Sequence, residues 1–347
     1  MKVISLGLDR SVLDPASPAG MRAVLYRDMV ERYEVVVPSS GGPKFLRLWS
    51  LYRQAAALLS KDAFDVVTVQ DAYFVAAVAR RLARRFGTGF EIQIHGFERS
   101  VGLRKRLARA NICAADHVRV VSERLKRQVV DEFGVDAELV TVAPIFSDAI
   151  SGAYPSRSER RMEAPLEFLF VGRLVPVKNV PLLLSSFSDL LKEIPNARLT
   201  IVGDGPERAR LVTHAEHVGV TENVEFVGRQ NDLVPYYHRA DVFVLPSDSE
   251  GWGLVAVEAA HAGLPIVMAD VGLAGEVIRD GESGLVVPPG DRKALTEAMK
   301  RLAQSPQERE RLGHAAFEAA RALPSKEELL RRIRAGWEIA LRARRKS

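Results

Sequence analysis

The feature that most constrains the fold is a regular alternation of short apolar strands and amphipathic helices along almost the whole chain. In the first half the strands run from Val3–Leu8 to Leu139–Val142, and in the second half from Glu167–Val171 to Gly284–Val287. Apolar strands that alternate with helices are typical of a parallel sheet covered on both faces. Because 347 residues are many for one core, we predict an α/β protein with two doubly wound, Rossmann-like domains.

A segment with little periodic apolar content separates the two halves. Ser151–Pro165 contains a glycine, two prolines and three serines, and it is interpreted as a linker. The predicted domains are 1–158 and 159–325, followed by a basic helix at 326–347. Since open α/β sheets bind ligands at the carboxyl ends of their strands, we expect a binding site in a cleft between the two domains.

The net charge of +5 is distributed unevenly along the sequence. Residues 1–158 carry a net +6, residues 159–325 a net −6 and residues 326–347 a net +5. Two runs, Arg80–Arg85 and Arg99–Arg109, contain arginine and lysine without any acid. Such runs fit a helix lying on an anionic membrane, although a solvated face explains them equally well. Aromatic residues do not interleave the runs, which disfavours a stacking surface for single-stranded nucleic acid.

Two glutamates eight residues apart are the strongest chemical signal. Glu250 lies in a loop after an apolar strand, and Glu258 lies in the helix that follows Gly253. The glycines of this loop leave the backbone bare at the helix start, where free N–H groups and the helix dipole favour an anion. Carboxylates beside an anion site suit a phosphorylated sugar; a helix cap and a solvated glutamate are the alternative interpretation.

Two cations and a histidine follow two other strands. Arg173 and Lys178 leave the first strand of the second half, where together they suit a diphosphate and its departure as a leaving group. His95 directly follows a strand of the first half, and it could bind a sugar hydroxyl or act as an acid or base. For each of these residues a surface or structural role remains the open alternative.

The motifs of the second half resemble a known family. They are GRLVPVKN from Gly172, IVGDGPE from Ile201, SEGWGLVAVEAAHAG from Ser249 and SGLVVPPGD ending at Asp291. In this combination and order they resemble the retaining glycosyltransferases of family GT4, or glycosyltransferase group 1, which have the GT-B fold. The resemblance implies that the second domain binds a nucleotide-diphosphate sugar and the first domain an acceptor. It also suggests that the tail helix at 326–347 packs back on the first domain.

The resemblance also implies a role for each motif residue. Glu258 would hold the ribose hydroxyls and Glu250 the donor sugar, while Arg173 and Lys178 would bind the diphosphate. His95 would lie near the transferred sugar. Gly253 and Leu254 would offer backbone N–H groups near the donor, and Gly228 and Arg229 would lie near the base. Gly20 would approach the diphosphate from the first loop. The family often has paired glycines in its first loop, where this chain has only Gly20, and Trp252 stands where a phenylalanine is usual.

We therefore expect a retaining, metal-independent hexosyltransferase that uses a UDP- or GDP-linked sugar as co-substrate and needs no other cofactor. Its acceptor would be lipid-linked or a polysaccharide in cell-envelope glycan synthesis, and nucleic acid is not expected as a partner. A non-transferring epimerase and a nucleotide-sugar binding module are the alternatives. The single cysteine, Cys113, excludes an internal disulfide and fits the cytoplasm. The N-terminus is interpreted as a buried strand rather than a signal peptide, and the enzyme could lie peripherally on the inner face of the membrane.

Overall fold

A computed structural model of the chain describes residues 1–38, 42–97, 102–146 and 165–346. Nearly all of the expected linker, and Arg99 of the second basic run, lie outside these residues. The chain divides into two compact units: unit 1 comprises 1–144 and 324–347, and unit 2 comprises 145–323.

Unit 1 contains a six-stranded parallel sheet in the order β2-β1-β3-β4-β5-β6. Its strands are β1 (Lys2–Leu6), β2 (Arg32–Val36), β3 (Val66–Val69), β4 (Gly89–Ile94), β5 (His117–Val120) and β6 (Val140–Val142). Its helices are α1 (Pro18–Asp28), α2 (Lys44–Lys61), α3 (Phe74–Phe86), α4 (Leu103–Ile112), α5 (Glu123–Phe133) and α12 (Lys326–Lys346). The four residues of β3 are all buried, as the continuous apolar pattern predicts for a strand covered on both faces.

The C-terminal helix α12 belongs to unit 1, where it packs on β4 and β5. Trp337 is fully buried in this contact, and its indole N–H donates to the carboxylate of Glu91 at 2.8 Å. Glu91 lies in the middle of β4 with no exposed surface, and Arg119 of β5 donates to its other oxygen at 3.3 Å. The tail helix is therefore joined to the sheet by a buried polar network as well as by apolar packing.

Unit 2 contains a second six-stranded parallel sheet, in the order β12-β11-β10-β7-β8-β9. Its strands are β7 (Glu167–Val171), β8 (Arg198–Val202), β9 (Val224–Gly228), β10 (Val242–Leu245), β11 (Ile266–Ala269) and β12 (Leu285–Val287). Its helices are α6 (Val180–Leu191), α7 (Arg208–His217), α8 (Val234–Arg239), α9 (Leu254–His261), α10 (Arg292–Gln304) and α11 (Pro306–Arg321).

The expectation of two doubly wound α/β units is confirmed by both sheets, and most elements agree with the sequence pattern within about two residues. The main difference is the first helix. The sequence pattern predicts this helix over Met21–Arg32, but it begins at Pro18, where Ser17 accepts from the N–H of Gly20, and it ends at Asp28. Arg32 instead begins β2. None of the described helices is both long and apolar enough to cross a membrane.

Candidate active site

The candidate site in unit 2 is formed by two loops that follow the neighbouring strands β7 and β10. These strands lie where the strand order reverses, since the chain crosses from β9 back to β10 on the other side of β7. Open α/β sheets bind ligands at such switch points. The loops are joined by the backbone bond from Asp248 N–H to the carbonyl of Val177 at 2.8 Å and by the Asn179 amide, which donates to the Asp248 carboxylate at 2.8 Å.

Lys178 and Glu250 face each other between these loops. The ammonium nitrogen Nζ of Lys178 lies 2.5 Å from Oε1 of Glu250, and the hydroxyl of Ser247 donates to the same oxygen at 2.8 Å. The Lys178 side chain is 18% exposed and that of Glu250 is 11% exposed. Two donors therefore fix the carboxylate, while the pair remains reachable from solvent. A cation held in this way can neutralise a phosphate oxygen.

The start of α9 provides bare backbone next to this pair. Gly253 precedes the helix with φ of 93°, a left-handed conformation that favours glycine, and no side chain caps the helix. The N–H groups of the first turn, at Leu254 and Val255, point out of the positive end of the helix dipole. With Lys178 and Glu250 on the preceding loops, this helix start offers donors for an anion.

Glu258 lies in the second turn of α9, where it is 7% exposed. Its Oε2 accepts from the hydroxyl of Tyr237 on α8 at 2.9 Å, and Tyr237 has no exposed surface. Burial, and then the negative charge of Glu258, raises the pKa of Tyr237 well above its ordinary value. The phenol is therefore a permanent donor that orients the carboxylate.

The remaining predicted residues of unit 2 lie at the same edge of the sheet without joining the Lys178–Glu250 pair. Arg173 begins the loop after β7; it is exposed, and within the described parts of the chain its guanidinium bonds to no other residue. Gly228 ends the edge strand β9 and accepts from the N–H of Gly203 at 2.9 Å, and the exposed Arg229 follows it. An exposed arginine beside a strand end has a charge available for a ligand.

In unit 1, His95 lines a cavity of about 340 Å³ at the carboxyl ends of β1, β3 and β4, together with Gly7, Arg22 and Gln70. The Gln70 amide lies 3.0 Å from Nδ1 of His95. An amide that donates there leaves the ring proton on Nε2. Burial, together with the positive charges of Arg119 and Arg22, lowers the pKa of His95 to about 3. The ring is thus neutral at ordinary pH, which suits a hydrogen bond to a hydroxyl better than proton donation as a general acid.

Gly20 lies inside the first turn of α1, where a side chain would collide with the backbone. A Cβ atom added at Gly20 would come within 1.8 Å of the carbonyl oxygen of Asp14. The close approach of these two backbone segments is a structural reason for a glycine at this position. Its predicted contact with a phosphate stays a prediction.

Three residues that shape the site were not predicted from the sequence: Tyr237, Ser247 and Asn179. Ser247 and Asn179 stand in the loops that the motifs had already marked, so their position was a usable signal. Tyr237 is on a separate helix, and only a three-dimensional contact connects it to Glu258. In the part of the chain that the structure describes, no group of three histidine, cysteine or acidic side chains could hold a metal ion.

Comparison with known proteins connects both units to glycosyl transfer. The family model "Glycosyl transferases group 1" matches residues 156–319, and "Glycosyltransferase Family 4" matches residues 5–148. A D-inositol 3-phosphate glycosyltransferase of Frankia alni is 31% identical over 283 residues, which are 73% of this chain and 69% of that protein. A glycogen synthase of Mycobacterium tuberculosis is 32% identical over 58% of this chain and 49% of its own length. The chain thus matches about half the length of several curated relatives.

Solved structures share the fold. The Anabaena protein Alr3699/HepE, crystallised with UDP and glucose, superimposes with a TM-score of 0.78 at 18% identity, covering 96% of this chain and 98% of that one. At this identity the likeness concerns the fold alone. It agrees with the expectation of a GT-B architecture that the motifs gave.

Proposed function

Because the chain belongs to the group 1 glycosyltransferases, also called glycosyltransferase family 4, we propose that it transfers a sugar, with retention, from a nucleotide-diphosphate sugar to a glycan or lipid-linked acceptor. The observation that carries this proposal is the Lys178–Glu250 pair, held at 2.5 Å between the loops after β7 and β10. A cation and a carboxylate beside an uncapped helix start match a donor with phosphate at one end and sugar hydroxyls at the other.

In the proposed mechanism, unit 2 binds the donor. Lys178 and Arg173 neutralise the diphosphate, and the N–H groups of Leu254 and Val255 donate to it. The oriented carboxylate of Glu258 accepts from the ribose hydroxyls, and Glu250 contacts the sugar. Gly228 and Arg229 lie at the strand end proposed to receive the base.

The bond from the anomeric carbon to the phosphate oxygen then breaks, and the diphosphate leaves with the bonding electron pair. The acceptor hydroxyl attacks from the same face and gives its proton to an oxygen of the leaving phosphate, so that the anomeric configuration is kept. Lys178 and Arg173 stabilise the charge that grows on the leaving group, and the mechanism proposed here uses no metal ion. In unit 1, His95 would donate a hydrogen bond from Nε2 to a sugar hydroxyl.

A solved relative supports the donor class, and the named relatives differ in their acceptors. HepE was crystallised with UDP and glucose, which supports a UDP-linked hexose, while a GDP-linked sugar is the second donor to try. The Frankia relative is named for an inositol phosphate acceptor and the mycobacterial one for glycogen synthesis. We propose a cell-envelope glycan or its lipid-linked precursor as the acceptor, at the cytoplasmic side of the membrane.

The first experiment is calorimetric titration with UDP, GDP and ADP, followed by transfer assays with the sugars of the nucleotide that binds. Proton NMR of the product gives the anomeric configuration, and assays in EDTA test metal independence. We expect micromolar to millimolar binding of one nucleotide, retention of configuration and unchanged rates in EDTA.

Glu258→Ala tests the site within this experiment. We expect nucleotide binding and transfer to fall by at least tenfold, because the ribose would lose a charged acceptor. Glu310→Ala, which removes an exposed glutamate from α11, is the matched control. Full transfer activity in Glu258→Ala would overturn the assignment.

A further inference from the structure

Three consecutive helices of unit 1 contain cations but no acid. Each of α2, α3 and α4 has four lysine or arginine residues and neither aspartate nor glutamate. The helices form one layer, since α2 packs on α3 and α3 packs on α4. Lys105 forms an ion pair with Glu132 of α5, which lies outside the layer, at 3.3 Å. The layer as a whole is a strongly positive surface that suits a polyanionic partner.

The starts of the same helices expose large apolar side chains. Phe45 is 68% exposed, Trp49 57%, Phe74 36% and Leu103 78%. These four residues and the two cations Lys44 and Arg104 form a surface that we call the aromatic–cationic face. The basic runs contain no aromatic residue in the sequence, yet aromatic residues lie on the same surface as their cations. The aromatic residues come from α2 and from the first residue of α3, and the fold places them beside the cations.

Two cation–π contacts show that this face is continuous. The ammonium of Lys44, at the start of α2, lies 4.1 Å from the ring centre of Phe74, at the start of α3. The guanidinium of Arg104, at the start of α4, lies 4.6 Å from the ring centre of Tyr73. Along α2, Phe45, Trp49 and Arg53 follow at intervals of four residues, and the Arg53 guanidinium lies 4.7 Å from the Trp49 ring. Residues four apart share one helix face.

We propose that the aromatic–cationic face docks unit 1 on an anionic lipid bilayer, with Phe45, Trp49 and Leu103 entering the headgroup region and the cations contacting lipid phosphates. Exposed aromatic and leucine side chains surrounded by lysine and arginine are the composition of interfacial membrane contacts. Inorganic polyphosphate would explain the cations but would gain nothing from the exposed aromatic rings. A single-stranded nucleic acid could stack its bases on those rings, but it would gain nothing from Leu103, which is 78% exposed.

The position of the face agrees with the proposed function. The inference rests on that function only in assuming a lipid-linked acceptor. The helices α2, α3 and α4 follow β2, β3 and β4, so their starts lie at the carboxyl edge of the sheet, the edge that also carries His95. A bilayer contacted there would bring a lipid-linked acceptor to the His95 cavity.

Tryptophan fluorescence can test the docking directly. The chain has three tryptophans, and Trp252 and Trp337 are 3% and 0% exposed, so a change on adding vesicles reports chiefly on Trp49. With vesicles containing phosphatidylglycerol at low salt, we expect a blue shift of the emission, quenching by brominated acyl chains and sedimentation with the lipid. Raising the salt to 0.5 M should weaken the binding, because the Debye length shortens.

Two double variants separate the components of the face. Lys44→Gln with Arg104→Gln should weaken binding to anionic vesicles roughly 30-fold, since each cation near such a surface contributes about five- to sixfold. Phe45→Ala with Leu103→Ala should remove the blue shift and weaken binding at least tenfold. Arg210→Gln with Lys293→Gln, which removes two exposed cations from unit 2, should leave binding unchanged.

Three results would overturn the proposal: no binding to anionic vesicles, equal binding to neutral vesicles, or vesicle binding without quenching by brominated acyl chains that inorganic polyphosphate or a single-stranded oligonucleotide matches. The last result would assign the face to a soluble polyanion. Calorimetry with the nucleotide, measured on every variant, keeps the two proposals apart. An unchanged urea unfolding transition shows that unit 1 of a variant is folded. Unchanged nucleotide binding leaves the proposed function standing even if the vesicles do not bind.

Discussion

Each unit of the molecule holds a glutamate against a cation, and the two arrangements differ in burial. In unit 1, Glu91 is fully buried among Thr68, His117, Arg119 and Trp337, which we call the sheet cluster. In unit 2, Glu250 meets Lys178 between two loops, and both side chains keep some exposed surface. Apart from Trp337, the sheet cluster lies within the strands, whereas Lys178 and Glu250, which we call the loop pair, lie past the strand ends.

The comparison shows how similar charge chemistry serves two purposes. Burial alone would raise the pKa of Glu91, but the charge of Arg119 and the contact with His117 lower it to about 2. Trp337 of α12 covers the cluster and Glu91 has no exposed surface, so a substrate cannot reach this carboxylate. The loop pair lies where a ligand can replace or join one of its partners. We therefore expect changes in the sheet cluster to affect stability and changes in the loop pair to affect catalysis.

The largest predicted effect concerns the sheet cluster. Glu91→Gln removes the negative charge but keeps the shape, which leaves Arg119 buried without a counter-charge. We expect the free energy of unfolding in urea to fall by about 3–5 kcal/mol. Glu338→Gln on the outside of α12, where the glutamate side chain is 42% exposed, should change it by less than about 1 kcal/mol. If the two substitutions lower the free energy of unfolding equally, the buried charge of Glu91 has no special role in stability.

The loop pair should respond in the opposite way. Lys178→Met removes a donor that would face the departing diphosphate, so we expect kcat to fall by about 10²–10³-fold. The free energy of unfolding should change by about 1 kcal/mol or less, because Ser247 still donates to Glu250. Steady-state kinetics and urea unfolding on the same preparation check both parts, with Lys192→Met at a 73% exposed position as the control.

The sequence predicts the fold and one of these two arrangements. The alternation of strands and helices specifies both parallel sheets, and the loops after two apolar strands already mark Lys178 and Glu250. The sheet cluster leaves a weaker trace, because Glu91 with Gln93 and His117 with Arg119 stand two apart within strands, so each pair shares one face. Which charges meet across that face depends on the order of the strands. That order, like the contact of α8 with Glu258, is set by packing between elements distant in sequence.

A pH titration of stability should show a third and smaller effect in unit 1. The pKa of His95 is lowered to about 3, whereas the unfolded chain binds a proton near pH 6.5. The contribution of His95 to the free energy of unfolding is therefore complete above pH 6.5. It is lost as the pH falls from 6.5 towards 3, by at most about 1.4 kcal/mol per pH unit. Between pH 6.5 and 5 the loss is about 2 kcal/mol, and His95→Gln should remove it.

Glu91 provides a second window in the same titration. Its pKa is depressed to about 2, so its contribution is present above about pH 4.5 and is lost as the pH falls from there towards 2. The two windows overlap below about pH 4.5, so the slope between pH 6.5 and 5 is the part that reports on His95 without Glu91. A slope between pH 6.5 and 5 that persists unchanged in His95→Gln would assign that window to another group.

The smallest predicted effect tests whether the buried Tyr237 orients Glu258 for ligand binding. Tyr237→Phe removes the hydroxyl that donates to Glu258 at 2.9 Å and leaves the ring packing intact. Loss of one hydrogen bond corresponds to about 0.5–1.5 kcal/mol, or roughly 2–10-fold. If Glu258 binds the ribose, this loss should appear in the KM of the donor and leave kcat unchanged. It should also narrow the preference for UDP over 2′-deoxy-UDP, which a purely structural tyrosine would not alter. If kcat falls and the nucleotide preference is unchanged, Tyr237 would instead have a purely structural role, like the residues of the sheet cluster.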